Sequence, residues 1–185
     1  MRNINVKNYL LITLSIICFF SIAFSIKIYD LNLYDYSEKH FYQLNELLGK
    51  TVKSIDVKIY EYDSLSEFVH ETGAPFFICA FSNKEGIHIQ SRYLLGDRFQ
   101  KAMIHELIHS TIKMEYPVPT WFEEGLVCLT TQEFAGVTDI IPMRNVEDYD
   151  IRIAESNWEL VSYCLGCIEK VQEILSSESS KQTIP

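Results

Sequence analysis

Residues 105–109 read His-Glu-Leu-Ile-His, and this short stretch constrains the fold more than any other part of the chain. On a helix, residues four positions apart lie on the same face, with their Cβ atoms roughly 5–6 Å apart. His105 and His109 can therefore reach one tetrahedral metal ion. Glu106, one position along, can take a proton from a water molecule at that ion. The spacing predicts a helix that carries a metal site on one face.

Two further features favour a metal site over a pair of surface histidines. The motif is interleaved with apolar residues, and unpaired His and Glu side chains would be costly to bury beside them. The chain has five histidines, and two of them have the spacing that a shared ion needs. The apolar residues are Met103, Ile104, Leu107 and Ile108.

The second motif lies downstream, after a break at Pro117 and Pro119. Residues 121–126 read Trp-Phe-Glu-Glu-Gly-Leu, which resembles the W-x-x-E-G-[FL] helix of the gluzincin metallopeptidases, and of their small minigluzincin or peptidase-MA-like group in particular. In that family the Glu immediately before the Gly is the third zinc ligand, which implies Glu124 here. Glu123 points away by about 100° on a helix. We expect Glu123 to be a solvated surface carboxylate.

The periodicity along the chain predicts an α+β fold, with a small mixed sheet before the motif helix and further helices after it. A zincin-like domain of minigluzincin size would occupy residues 27–175. Its predicted helices are at 31–49, 63–73, 97–114, from Thr120 onward and at 155–175; its predicted strands are at 55–61, 74–81 (a central strand) and 87–90; and an irregular loop is expected at 139–150.

The resemblance also implies a place for the substrate. In the family the last strand before the motif helix is an edge strand that borders the cleft, and here that strand contains Ile87, His88 and Ile89. An extended peptide would pair with its exposed backbone, which needs no particular side chains. His88 alternates with the apolar positions, so we expect it to point outward rather than to bind metal.

The chain departs from the family pattern in two places. Some gluzincins have an acidic residue four positions after the ligand Glu, where it orients a zinc-bound imidazole, but Cys128 stands at that position here. The residue that orients the imidazoles is therefore not identified from sequence, although such partners matter for affinity. Tyr149 and Tyr163 are available to stabilise an oxyanion, but neither falls in a recognisable motif.

The N-terminal segment, residues 1–26, predicts a membrane anchor or a signal peptide. Residues 9–26 carry no charge, and Arg2 and Lys7 precede them. About 20 apolar residues span a bilayer, whereas a signal-peptide core is shorter. The length favours an uncleaved anchor, but Ala23-Phe24-Ser25 also permits cleavage after Ser25. The positive residues place the rest of the chain outside the cytoplasm. At the other end, residues 176–185 are expected to be a disordered tail.

Four cysteines follow this segment: Cys79, Cys128, Cys164 and Cys167. An even number in an exported domain allows one or two disulfides, but buried free cysteines are equally compatible with the pattern. The net charge of −9, without a stripe of Lys and Arg, argues against nucleic-acid binding.

Together, these patterns predict a zinc-dependent endopeptidase with one Zn²⁺ ion, acting on peptides or proteins at the extracytoplasmic side of a membrane. His105, His109 and Glu124 would be the metal ligands and Glu106 the general base. The alternative is a catalytically inactive zinc-binding domain that recognises peptides or proteins at the cell envelope.

Overall fold

The computed structural model describes residues 26–181, which form a mixed α+β fold. Except for Ile26, the predicted anchor or signal segment lies outside this range. The strands are β1 (Ile26–Leu31), β2 (Val57–Tyr62), β3 (Ala80–Ser82) and β4 (Ile87–Gln90). The helices are α1 (Leu33–Tyr36), α2 (Glu38–Leu48), α3 (Leu65–Thr72), α4 (Arg92–Leu95), α5 (Arg98–Glu115), α6 (Thr120–Thr131) and α7 (Asn157–Lys181), with a 3-10 turn at Ile151–Ile153.

The sheet has the order β1-β2-β4-β3. β2 and β4 run parallel, whereas β1 and β3 pair antiparallel with their neighbours. The expected edge position of Ile87, His88 and Ile89 is therefore wrong, because β4 lies between β2 and β3. The turn at residues 83–86 folds β3 back along the outer side of β4, with the Asn83 side chain accepting hydrogen bonds from two backbone N–H groups.

The run at 74–81 does not form the expected central strand. Only Ala80–Ser82 is extended and paired, and it lies at the edge of the sheet. The preceding residues carry a short turn, with Ile78 N donating to the carbonyl of Pro75. Apolar character alone does not distinguish a central strand from a loop that packs against one.

Helices cover both faces of the sheet. On one face the fully buried Ile59, Ile87 and Ile89 belong to the same core as the apolar side of α5. On the other face, Phe68 of α3 packs edge-on against Tyr62. His88 faces this second side, as predicted, but it is only 7% exposed because α3 lies over it.

Residues with the usual capping preferences bound two of the helices. Ser64 caps α3 by accepting a hydrogen bond from Glu67 N, and Gly73 ends the helix in the left-handed region with φ of 69°. Gly49 ends α2 in the same way. The predicted first helix begins later than expected, since Ile26–Leu31 forms β1 against β2.

The helices after the sheet bring the two motifs together. α5 carries the first motif, Pro117 and Pro119 interrupt the helix, and α6 carries the second. α7 packs against α6 and extends to Lys181, so residues 176–181 are helical instead of part of the expected disordered tail. The loop at 139–150 is irregular, as predicted. No helix within residues 26–181 is long and apolar enough to cross a membrane.

Candidate metal centre

The two motif histidines face each other on α5. Core contacts fix the rotation of this helix, because Met103, Leu107 and Ile108 are fully buried on its apolar side. That leaves His105 and His109 on an adjoining strip, with their side chains 16% and 9% exposed. Their Nε2 atoms lie 3.0 Å apart. The structure thus brings the predicted pair of imidazoles together.

α6 adds a carboxylate to the pair. Glu124 lies in the first half of the helix and is 5% exposed. Its Oε2 is 3.2 Å from His109 Nε2, and its Oε1 is 3.5 Å from His105 Nε2. The side chain that the family resemblance implied as third ligand is therefore in contact with both imidazoles.

These distances fit the donor set of a zinc site. A tetrahedral ion with Zn–N and Zn–O bonds of about 2.0–2.2 Å holds its ligand atoms roughly 3.3 Å from one another. The two Nε2 atoms lie 3.0 Å apart, and each is near a different oxygen of Glu124, His105 at 3.5 Å from Oε1 and His109 at 3.2 Å from Oε2. Imidazole nitrogens and carboxylate oxygens are ligand types that zinc accepts, so these residues could hold a metal ion.

Glu123 holds His109 from the other side of the ring. Its carboxylate hydrogen-bonds Nδ1 of His109, and its Oε1 is also 3.4 Å from Lys113 Nζ. It is 5% exposed, so the expectation of a solvated surface carboxylate is wrong. α5 lies against α6 and contributes His109 and Lys113, which together cover and pair the carboxylate. Lys113 follows His109 by four residues, so both side chains lie on the same face of α5 and meet Glu123 there.

Glu133 contacts the Nδ1 atom of His105, as Glu123 contacts that of His109. Its Oε2 lies 2.8 Å from His105 Nδ1, and its side chain is 33% exposed. α6 ends at Gln132, which adopts the left-handed conformation with φ of 54° and turns the chain just before Glu133. Both imidazoles therefore have carboxylate partners on Nδ1, which leaves each Nε2 directed at Glu124 and available to a metal ion. No pattern in the sequence identifies Glu133, since it follows the helix by an irregular turn.

The carboxylates around His105 and His109 favour the protonated, positively charged form of both imidazoles. Burial would lower the pKa of His105, but Glu124 and Glu133 outweigh this effect and hold that pKa well above its usual range. Burial is likewise overcome at His109, where Glu124 and Glu123 raise the pKa to about 9. Burial would raise the pKa of Glu124, yet His109 and His105 hold it well below its ordinary value. A cation bound here would replace these protons.

Glu106 is the remaining acidic residue of the motif. It is 7% exposed, and its negative charge is among the influences that raise the pKa of the neighbouring His105.

Two cysteine thiols lie behind Glu124. Cys128 Sγ and Cys164 Sγ are 3.7 and 3.4 Å from its Oε1. Cys128 Sγ is itself a possible ligand atom, because it lies within 4.8 Å of a ligand atom of His105 and one of Glu124. All four cysteines in the described range are free, and Cys128, Cys164 and Cys167 are buried. Of the two alternatives from the sequence, disulfides or buried free cysteines, the structure has free cysteines.

The other predicted residues are not part of the cluster. His88 stacks between Tyr60 and Phe81 on the sheet face opposite α5. Ile87 and Ile89 are fully buried core residues. Tyr163 is also fully buried, in a cluster with the cysteines of α6 and α7, so its hydroxyl is not exposed to a substrate.

Comparison with known proteins adds nothing to this geometry. The chain matches no protein-family model, and no curated protein or solved structure is detectably similar to it.

Proposed function

We propose that this chain is a zinc-dependent endopeptidase that hydrolyses peptide bonds. The observation that carries the proposal is the convergence of His105 Nε2, His109 Nε2 and the Glu124 carboxylate, with a carboxylate on each Nδ1. The resemblance of residues 105–109 and 121–126 to gluzincins supports the same activity. We also propose that the sheet and the motif helix are arranged as in a zincin-like domain.

Each residue has a role in the proposed reaction. His105, His109 and Glu124 would hold the zinc ion, and Glu123 and Glu133 would keep both imidazoles in the tautomer that presents Nε2. When bound, the ion supplies Lewis acidity, which polarises the scissile carbonyl and lowers the pKa of a water molecule. Glu106 would act as the general base and acid of the reaction, taking a proton from water and giving one to the leaving amine.

The free edge of the sheet is the proposed place for a peptide. Within residues 26–181, β3 pairs only with β4, so its outer edge has unpaired backbone groups. Lys113 Nζ of α5 is 3.2 Å from Ser82 Oγ, which places this edge beside the motif helix. An extended substrate would add a strand here, in the role that the sequence assigned to Ile87, His88 and Ile89.

The cellular location remains a proposal from sequence. Residues 1–26 would anchor the chain in a membrane, or be cleaved from it near Ser25, with the peptidase domain on the extracytoplasmic side. The substrate would then be a peptide or protein outside the cytoplasm.

The test of this function is metal analysis combined with a hydrolysis assay on a labelled unfolded protein. We expect one zinc ion per chain and measurable cleavage. Glu124→Ala should lose stoichiometric zinc. Glu106→Gln should retain zinc while hydrolysis falls by about 10²–10⁴-fold.

Glu46→Gln is the matched control, because this carboxylate is exposed on α2, and it should leave both properties unchanged. Turnover that survives in Glu106→Gln would rule out the assigned base. Zinc binding without any hydrolysis by the wild type would favour the inactive recognition domain instead.

A further inference from the structure

The third ligand is held by two thiols that come from different helices. Cys128 of α6 and Cys164 of α7 both hydrogen-bond Oε1 of Glu124, at 3.7 and 3.4 Å. Both cysteines are almost fully buried, at 1% and 2% exposure. Two helices therefore bring a thiol within hydrogen-bond distance of the same buried oxygen, and the two thiols are also within hydrogen-bond reach of each other.

The local sequence and the helix packing explain this convergence. Cys128 follows Glu124 by four residues, so the two side chains lie on one face of α6. Cys164 lies next to Glu124 because α7 packs very closely against α6 at Gly125. A Cβ at this glycine would lie 2.6 Å from the Cys167 carbonyl oxygen, so a larger residue would push the helices apart.

The contacts make the two oxygens of Glu124 different. Oε1 is contacted by both thiols and lies 3.5 Å from His105 Nε2, whereas Oε2 has no thiol contact and lies closer to an imidazole, at 3.2 Å from His109 Nε2. A thiol is a weak donor, and beside a buried carboxylate it can only donate. An oxygen with two such donors is less available to a metal ion than its partner oxygen.

We propose that Cys128 and Cys164 are positioning residues that hold Oε1 of Glu124 and present Oε2 to the metal ion. This inference rests on the proposed zinc site. Coordination through one oxygen leaves space for a water molecule at the fourth position, which a catalytic site requires. Cys128 thus stands at the position that an acidic residue has in some gluzincins, but with Cys164 it acts on the carboxylate ligand instead of an imidazole.

The competing arrangement makes Cys128 itself a ligand, since its Sγ lies within 4.8 Å of the ligand atoms of His105 and Glu124. That would require a thiolate next to a buried carboxylate, and two adjacent buried anions repel each other. Cobalt substitution separates the two arrangements. Wild-type protein loaded with Co²⁺ should lack a near-ultraviolet sulfur-to-metal charge-transfer band, and its presence would overturn the positioning role.

Infrared spectroscopy of the metal-free chain tests the hydrogen bonds directly. The S–H stretching bands of Cys128 and Cys164, assigned by single Ala variants, should move to higher wavenumber in Glu124→Leu. The band of Cys167 should stay in place, because this equally buried thiol makes no hydrogen bond to Glu124 among the described residues. If the Cys128 and Cys164 bands do not move in Glu124→Leu, the inference is overturned, whether or not the chain binds zinc.

Zinc affinity, measured by competition with a chromophoric chelator, tests the consequence. The Cys128→Ala/Cys164→Ala pair should raise the zinc Kd by about 10–100-fold, the usual effect of losing an outer hydrogen-bond partner. The Cys128→Ser/Cys164→Ser pair keeps a donor at each position and should stay close to the wild type, as should the control Cys167→Ala.

An unchanged Kd in the Ala pair, or an equal loss in the Ser pair, would contradict the positioning role. If the wild-type chain binds no zinc, the proposed metal site fails and the positioning role fails with it. The infrared bands would then still show whether the thiols donate to Glu124.

Discussion

The carboxylate of Glu123 hydrogen-bonds Nδ1 of His109, on the side of the ring opposite Glu124. Two consecutive residues of α6 therefore contact the two nitrogens of one imidazole. Lys113 Nζ lies 3.4 Å from Glu123 Oε1 and balances its charge. The pair fixes the orientation of His109, so it should matter for metal affinity more than for folding.

The first prediction concerns Glu123. Glu123→Ala should raise the zinc Kd by about 10–100-fold, because the imidazole loses the acceptor that fixes its tautomer. Glu123→Gln keeps an acceptor oxygen at the same position and should have a smaller effect. Chelator competition measures both values. Equal losses in the two variants would show that the negative charge of Glu123, rather than its hydrogen bond, supports the site.

The second prediction compares Glu133 with Glu123. The Glu133 side chain is 33% exposed and that of Glu123 is 7% exposed, so water can replace the Glu133 carboxylate more easily. Glu133→Ala should therefore weaken zinc binding less than Glu123→Ala. Its effect should also shrink at high salt, since exposed charges are screened over about 10 Å or less. Zinc titrations at two salt concentrations check both points, and a larger loss in Glu133→Ala would contradict the assignment.

The motif helix and its metal face were predictable because they depend on local geometry. Residues four apart on a helix share a face whatever surrounds them, so His105 and His109 followed from spacing alone. Glu124 followed from the family resemblance. The predicted helix at 63–73 also agrees with α3, whose caps at Ser64 and Gly73 involve only neighbouring residues.

What sequence could not supply was the packing between elements. Glu123 looked solvent-exposed from its helical angle, but its burial depends on how α5 lies against α6. Glu133 depends on the left-handed turn at Gln132. The strand order depends on pairing across the sheet, so β4 was wrongly assigned to the edge.

The third prediction concerns the contact between α6 and α7. Gly to Ala in a helix interior usually stabilises a protein by up to about 1 kcal/mol. At Gly125 the added Cβ would lie 2.6 Å from both the Cys167 carbonyl oxygen and Val171 Cγ2. Gly125→Ala should therefore lower the free energy of unfolding, by about 1–3 kcal/mol, as overpacking does. Urea denaturation measures the change.

Val171→Ala offers an internal check on this interpretation. It removes one of the two close contacts at Gly125, so the double variant should lose less stability than the sum of the single losses. Strict additivity would mean that the collision with Val171 is not the cause of the loss.

The fourth prediction is a pH dependence that comes from His88. Its Nδ1 lies 2.7 Å from the Tyr62 hydroxyl, and its Nε2 is buried without a hydrogen-bond partner. Burial lowers the pKa of His88 below its ordinary value of 6.5, while the charge of Glu85 opposes this effect weakly. Below pH 6.5 the His88 imidazole is therefore protonated to a greater extent in the unfolded chain than in the folded chain. The free energy of unfolding should fall as the pH falls from 6.5 through the lowered pKa.

The difference between wild type and His88→Phe isolates this contribution from other titrating groups. The variant keeps an aromatic ring between Tyr60 and Phe81 but carries no proton, so its urea stability should depend less on pH between about 5 and 7. An identical slope in His88→Phe and wild type would mean that His88 is not the group whose protonation opposes folding.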